Sequence, residues 1–262
     1  MSKVQFGGVL VNDYQITSTK IRNSRVVLSN AVKDGKNFML KFTTGYNELY
    51  FIDNFQCSTV VKPIEHFFYK NKYVSVFPSY STDLYDFVAK NSNIPLEKTL
   101  QIIEDCFSAV YYLHNCSVLH NNIKLENFVI YDEGNGILNT KIRDFQGAVI
   151  LDKGEKCTCQ YGTPGYMAPE FHEGHSFPSD IYALGVTLRY LWYRTKKTDT
   201  YANQINVSII DSLLERMVKE DPNSRPTAQE CYSIIYYNIN SKAATIINNQ
   251  QLIKNSGSCE CF

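Results

Sequence analysis

The chain has 262 residues, with 26 basic and 26 acidic side chains, 44% hydrophobic residues and 20% charged ones. That balance excludes binding to nucleic acid or to a membrane surface through bulk charge, and the composition is that of a folded protein. At this length one large domain or two closely packed lobes is expected. No apolar run approaches the ~20 residues that a transmembrane helix needs. The opening MSKVQFGGVL lacks the basic start and apolar stretch of a signal peptide, so a soluble, intracellular protein is expected.

The first 80 residues read as strands. Tyr14 to Lys20, Arg25 to Val32 and Asn37 to Thr43 carry β-branched and aromatic residues, with Lys33-Asp34-Gly35-Lys36 as the turn between the last two. A short helix is expected over Asn47 to Asn54, then strands over Val60 to Tyr69 and Lys72 to Phe77, joined by Lys70-Asn71. From residue 83 the pattern turns helical. Pro95-Leu96-Glu97 opens a long helix in which Leu100, Ile103, Phe107, Val110 and Leu113 recur at helical spacing through His114. Asp180 to Trp192, Val207 to Lys219 and Thr227 to Tyr237 read as further helices, and the last ~20 residues as a weakly ordered tail. The architecture expected is α+β, a small β-rich lobe followed by a larger helical one.

Eight cysteines include two C-x-C pairs, Cys157/Cys159 and Cys259/Cys261, and no C-x-x-C pair. No histidine lies at ligand spacing beside them, and a structural zinc needs four ligands. They read as buried or free thiols.

Four segments carry the chemistry. Met39-Leu40-Lys41-Phe42 ends an apolar strand on a lysine, and Glu48 follows seven residues later at the head of the short helix. His120-Asn121-Asn122-Ile123-Lys124-Leu125-Glu126-Asn127 precedes the apolar Phe128-Val129-Ile130. Ile142-Arg143-Asp144-Phe145-Gln146-Gly147 is the third. The fourth is Gly162-Thr163-Pro164-Gly165-Tyr166-Met167-Ala168-Pro169-Glu170, with Asp180-Ile181-Tyr182-Ala183-Leu184-Gly185 and Arg225-Pro226 beyond it. Singly each has a bland reading. In this order and spacing they resemble the protein kinase set: the strand Lys, the H-R-D-x-x-x-x-N loop, D-F-G and A-P-E.

The resemblance covers about residues 14 to 238. It implies a two-lobed protein kinase fold, with a β-rich N-lobe over residues 1–79, a helical C-lobe over 80–238 and a tail over 239–262. It further implies ATP with Mg²⁺, or Mn²⁺ in its place, as cofactors. ATP brings about four negative charges, so transfer needs a cation on the phosphates and oxygen ligands for the metal. Lys41, held by Glu48, takes the phosphate role, while Asp144 and Asn127 take the metal. Lys124 resembles the lysine that serine/threonine kinases use at the γ-phosphate, and Thr163 the threonine that braces it. Glu170 and Arg225 match a buried structural ion pair, and Asp180 the acid beneath the catalytic loop. Aligned back from Asp83-Leu84-Tyr85, Val76 falls at the gatekeeper position and Phe77 to Ser79 at the adenine-binding hinge. Asp83 then meets a ribose hydroxyl, and Val26 joins the nucleotide-binding residues.

The chain departs from the family in four places. Asn122 stands where the catalytic aspartate of H-R-D would accept the substrate's proton. An amide cannot take up that proton at neutral pH, and one acceptor becomes an N–H₂ donor. General-base contributions are about 10²–10⁴-fold, so transfer should be nearly silent. Asn121 replaces the Arg that reads a phosphorylated activation loop. Counting back from Val26, the three glycines of the phosphate loop fall on Thr19, Ile21 and Ser24, none of them Gly, which should keep the backbone from closing over phosphates. The Lys41–Glu48 separation is short, so the regulatory helix lacks its first turns, and Gln146 replaces the Gly of D-F-G, stiffening Phe145.

Two origins fit Asn122: a natural pseudokinase acting as a binding or sequestering module, or an active enzyme changed from Asp to Asn. The loop H-N-N-I-K-L-E-N also resembles the H-N-D-I-K-L-E-N loop of the baculovirus protein kinase PK-1 group, compact viral serine/threonine kinases. That resemblance implies a basic, protamine-like DNA-condensing protein as substrate, in host cytoplasm or nucleus. Phosphate on such a protein cancels charge and weakens its grip on DNA. Glu126, Asp83, Asp86 and Glu173 are the acids expected to meet it. The sequence assigns no oligomeric state.

Overall fold

The computed structural model describes residues 9–21, 26–45, 47–55, 57–132, 134, 136–152, 154–196 and 207–238. The expected tail, 239–262, and Ser24 lie outside the described residues. Six strands form one antiparallel sheet: β1 Leu10–Val11, β2 Tyr14–Ile21, β3 Val26–Lys33, β4 Lys36–Thr43, β5 Glu65–Tyr69 and β6 Lys72–Pro78, in the order β1-β2-β3-β4-β6-β5. The β3–β4 turn is tight because Asp34 and Gly35 both take positive φ, 50° and 72°, the backbone of a primed hairpin turn.

Alternation along β4 sorts its side chains onto two faces. Leu40 packs outward with Val74, Val76, Tyr14 and Ile16 in a small core of its own, whereas Met39 belongs to the main core. The strand expected over Val60 to Tyr69 is broken in the structure. Pro63 has no N–H to give a ladder, and β5 starts only at Glu65. Val60 instead bridges Ile142 in parallel, and the Val61 N–H donates to the Ile142 carbonyl at 2.9 Å.

Helix α1, Asn47–Asn54, lies beneath the sheet. Phe51 stacks on Phe55 (6.1 Å between centroids), and Phe55 meets Phe145 at 5.0 Å. The rest is mainly helical: α2 Leu84–Lys90, α3 Leu96–Asn115, α4 Phe177–Tyr193, α5 Val207–Met217 and a last helix α6 over 228–238. Helix α4 begins three residues before the expected Asp180, because Pro178 occupies its first turn, where a missing N–H costs nothing. Two short strands, β7 Thr82–Asp83 and β8 Ile94–Pro95, flank α2, and between α3 and α4 run β9 Val118–Leu119 and the hairpin of β10 Phe128–Asp132 and β11 Leu138–Ile142. The architecture is α+β, a small β-rich lobe with one short helix beside a larger helical lobe, as expected. Among the described residues no helix is long and apolar enough to cross a membrane.

Helices α4 and α5 approach closely at Gly185. A Cβ there would meet Met217 Cβ at 2.8 Å and Val218 Cγ1 at 2.9 Å, neither of them the end of a flexible side chain. Gly185→Ala should cost about 1–3 kcal/mol by overpacking, read as a lowered urea midpoint with an unchanged slope.

Candidate active site

Beneath the sheet lies a cleft of about 500 Å³, lined from above by Val26, Leu28, Met39 and Lys41 and from below by Asn122, Lys124, Asn127 and Asp144. The strand alternation that sends Leu40 outward turns Lys41 inward. Its Nζ donates to Glu48 Oε1 on α1 and to Asp144 Oδ1 after β11, both at 2.7 Å. Burial alone would lower the Lys41 pKa, but the two carboxylates outweigh it and raise it. Burial would raise Asp144 too, yet Lys41 holds its carboxyl down at about 2. Glu48 shares the same cation at 5% exposure, and there burial wins and raises its carboxyl. Asp144 sits in the left-handed region (φ 73°, ψ 69°), a strained conformation for a residue with a Cβ, so the surrounding packing must hold it there. Phe145 is fully buried against His120 and Phe55, and its N–H donates to Glu48 Oε1 at 3.3 Å.

The loop 120–127 is clamped from below by Asp180 of α4. Its carboxylate accepts from the backbone N–H groups of His120 (2.8 Å) and Asn121 (3.0 Å) and meets His114 Nε2 at 3.2 Å. Burial would raise Asp180, but His114 and these amides hold it below the usual carboxylate range. Above the clamp a polar chain crosses the cleft floor. Lys124 Nζ donates to Thr163 Oγ1 (3.0 Å), Thr163 Oγ1 donates to Asn122 Oδ1 (2.9 Å), and Asn122 Nδ2 points at Asp144 Oδ2 (3.4 Å). Asn127 Nδ2 donates to the Asn122 carbonyl at 2.8 Å. The Asn122 amide thus sets a donor against Asp144, where a second carboxylate would set like charges against each other.

The expectation that Val76 stands at the gatekeeper position of the cleft fails in the structure. Val76 does not face the cleft. It pairs with Leu40 in the ladder and is buried with it on the outer face of the sheet, while Phe77, opposite Met39, lines the cleft. Counting back from Asp83 set the register one residue off, and in a strand one residue is the difference between the two faces. Ser79 and Asp83 line an adjoining opening with Met39 and Thr19. Asp83 caps α2, accepting from the Asp86 N–H at 2.9 Å. Thr19 lies in β2 with its hydroxyl 3.0 Å from Ser29 Oγ.

The sequence reading passed over Arg143 and Tyr161. Arg143, 8% exposed, lies along the cleft floor, donating to Tyr80 Oη (2.7 Å) and the Glu126 carbonyl (2.8 Å) with its guanidinium over the Tyr80 ring. Its position just before Asp144 was the available signal. Tyr161 lies against Gly147, where a Cβ would fall 2.0 Å from the ring, and its hydroxyl donates to Gln146 Oε1 at 3.1 Å. Gln146 therefore anchors the segment after Phe145. Farther off, Arg225 grips Glu170 through both nitrogens (2.7 and 2.8 Å), and Ser179 Oγ donates to the same carboxylate at 2.7 Å.

A β-rich lobe on a helical lobe, with one lysine bridging two carboxylates in the cleft between them, defines the two-lobed kinase fold. The protein kinase domain family matches residues 14–237, and the chain belongs to that family. It is similar to the meiosis-specific serine/threonine-protein kinase mek1 of Schizosaccharomyces pombe, 24% identical over 66% of this chain and 44% of that protein. It is similar also to the serine/threonine-protein kinase PLK1 of Xenopus laevis, 31% identical over 49% of this chain and 24% of that protein. With the serine/threonine-protein kinase plk-2 of Caenorhabditis elegans it shares 34% identity over 50% of this chain and 22% of that protein. The matches thus span less than half the length of these relatives.

Because Asp144 titrates below its ordinary value, its pairing with Lys41 contributes stability that is full above the usual carboxylate range and fades as pH falls toward about 2. Lys41→Met leaves the buried Glu48 carboxylate and the quarter-exposed Asp144 carboxylate without their cation. It should cost about 3–5 kcal/mol near neutral pH and progressively less toward about pH 4, where the orphaned carboxyls take up protons. Urea unfolding at the two pH values measures this, and an equal loss at both would show that the cation is not what the carboxylates need.

Proposed function

We infer that this chain is an ATP-dependent serine/threonine protein kinase domain of viral type, in which phosphoryl transfer is silent or nearly so because of Asn122. The observation that carries the reading is the position of the Asn122 side chain, between Thr163 and Asp144 on the cleft floor, with the remaining polar chain intact around it. When bound, ATP with Mg²⁺, or Mn²⁺ in its place, supplies the γ-phosphoryl group and neutralises its charge. The residues fit such a cation. Asp144 keeps a quarter of its side chain exposed to the cleft, and Asn127, its N–H₂ committed to the Asn122 carbonyl, has Oδ1 left as a hard oxygen donor.

In this reading Lys41 offers its charge to the phosphates, with Glu48 orienting it. Lys124, steadied by Thr163, offers a second charge at the transferring end. Val26, Met39 and Phe77 form apolar walls for the base, with Ser79 and Asp83 at the outer edge. Asn122 accepts a hydrogen bond through Oδ1 but takes no proton from a substrate hydroxyl, which leaves the step without its base.

For a basic, protamine-like substrate the support is Glu126. It lines the cleft, and its Oε2 is buried without a hydrogen-bond partner, an acceptor suited to an arginine. Of the other acids named for this role, Asp86 pairs with Lys90 at 3.3 Å and Asp83 caps its helix. A location in host cytoplasm or nucleus belongs with the same reading. The rival, a binding module that sequesters its partner, draws on Thr19 standing in β2 where a glycine would let the backbone close on phosphate.

Asn122→Asp should raise ³²P transfer from Mg-ATP to a protamine-like protein by about 10²–10⁴-fold. Silence in both folded forms would favour the binding module. A partner variant, Glu126→Gln, built on Asn122→Asp, should weaken use of an arginine-rich peptide more than of a neutral serine peptide.

A further inference from the structure

The segment after Phe145 carries a cluster that the kinase reading leaves unused. Cys157, Cys159 and His175 lie far apart in sequence from Asn121, yet all four side chains meet in one place. A two-way backbone bridge brings them together: the Cys157 N–H donates to the His175 carbonyl at 2.7 Å, and the His175 N–H to the Cys157 carbonyl at 3.0 Å. The two sulfurs and a ring nitrogen all lie within 4.8 Å of one another. The sulfurs are 2.9 Å apart, and Cys157 and His175 are 8% and 1% exposed. The expectation that no histidine accompanies the C-x-C pair therefore fails in space, because the partner lies sixteen residues on and is brought back by the fold.

The imidazole supplies a second, independent observation. His175 Nδ1 lies 3.2 Å from the Phe171 carbonyl and Nε2 lies 2.9 Å from Asn121 Oδ1, which are two acceptors. A neutral imidazole has a single N–H, and a buried imidazolium is costly. The Asn121 amide cannot be turned to relieve this, since its Nδ2 donates to the Gly147 carbonyl at 2.9 Å. With the proton on Nδ1 and donated to Phe171, the usual arrangement behind a metal-bound histidine, Nε2 points a lone pair into the cluster beside Asn121 Oδ1. A cation seated there resolves the conflict.

We propose that Cys157, Cys159, His175 and Asn121 form a zinc site that staples the activation segment to the catalytic loop and to the start of α4. Two thiolates and one imidazole nitrogen are donors that borderline-soft Zn²⁺ takes in tetrahedral sites, and the Asn121 amide oxygen fills the fourth position. Zn–S near 2.3 Å and Zn–N near 2.0 Å place tetrahedral ligand atoms about 3.3–3.8 Å apart, so on binding the sulfurs part from 2.9 Å by roughly 0.9 Å. Binding replaces the two thiol protons, which pass to solvent, by one divalent ion, and the filled site is electrically neutral and tolerates burial. Asn121 Nδ2, 3.3 Å from Cys159 Sγ and 3.7 Å from Cys157 Sγ, donates to the sulfurs. Cys159 is partly exposed and gives the ion its entry. The staple would hold Asn121, and with it the neighbouring Asn122, in place by metal ligation.

The test uses the full chain in a Cys259→Ser/Cys261→Ser background, so that the second C-x-C pair takes no part. Protein purified in the presence of zinc alone should retain a single ion per chain through gel filtration, measured by atomic emission. Its cobalt form should show the intense visible absorption of tetrahedral thiolate coordination, and a chelator should lower its melting temperature. Cys159→Ser, at a partly exposed position, should abolish all three effects while keeping the parent's far-UV circular dichroism, and Cys57→Ser should abolish none. Zinc retained equally by parent and Cys159→Ser would overturn the site. So would a parent that retains no metal, or one lighter by two hydrogens from a Cys157–Cys159 disulfide.

Discussion

Lys41 Nζ, buried under the sheet, holds two carboxylates from opposite ends of the chemistry-bearing sequence at 2.7 Å each. Glu48 belongs to α1 and Asp144 follows β11, so one ammonium ties the sheet, its short helix and the helical lobe to a common point. A buried cluster with one cation and two anions is stable only while every member stays in place. The positions of Phe145, of α1 and of the cleft floor all follow from it. The strained backbone of Asp144 belongs to the same constraint, since the left-handed turn aims its carboxylate at the lysine.

The second constraint is Asp180. Its carboxylate satisfies two adjacent backbone N–H groups of the catalytic loop, which lets Asn121 take a positive φ of 63° and turn its side chain toward the activation segment while Asn122 turns toward the cleft. Two neighbouring asparagines thereby reach different sites. Asn122 completes a polar chain with Thr163 and Lys124, and Asn121 completes the cysteine–histidine cluster. In the first, the Asn122 amide leaves Asp144 facing a donor.

Much of this was legible in the chain. The strands β2, β3, β4 and β6, helix α1 and the long α3 fall within a residue or two of their expected bounds, because each carries its own period and turn residues. The order of Lys41, Asn122, Asn127, Asp144 and Glu170 announced the family before any geometry. What failed did so for local reasons. Pro63 cut short a strand whose apolar run looked continuous. Val76 was assigned by counting from a distant anchor, and a slip of one position in a pleated strand exchanges the cleft for the outer core. Arg143 and Tyr161 carried no pattern of their own, and their places depend on where neighbouring segments pass.

The sequence by itself determined the fold class and the chemical types gathered in the cleft, because periodicity and motif order are properties of the chain alone. It also determined that the side chain of residue 122 offers no proton acceptor at neutral pH, since an amide is an amide in any fold. The tertiary structure decided which face each strand residue presents and which carboxylates share Lys41. It also decided that Cys157, Cys159, His175 and Asn121 converge. Those are matters of distance between residues remote in sequence, set by the packing of separate elements against one another.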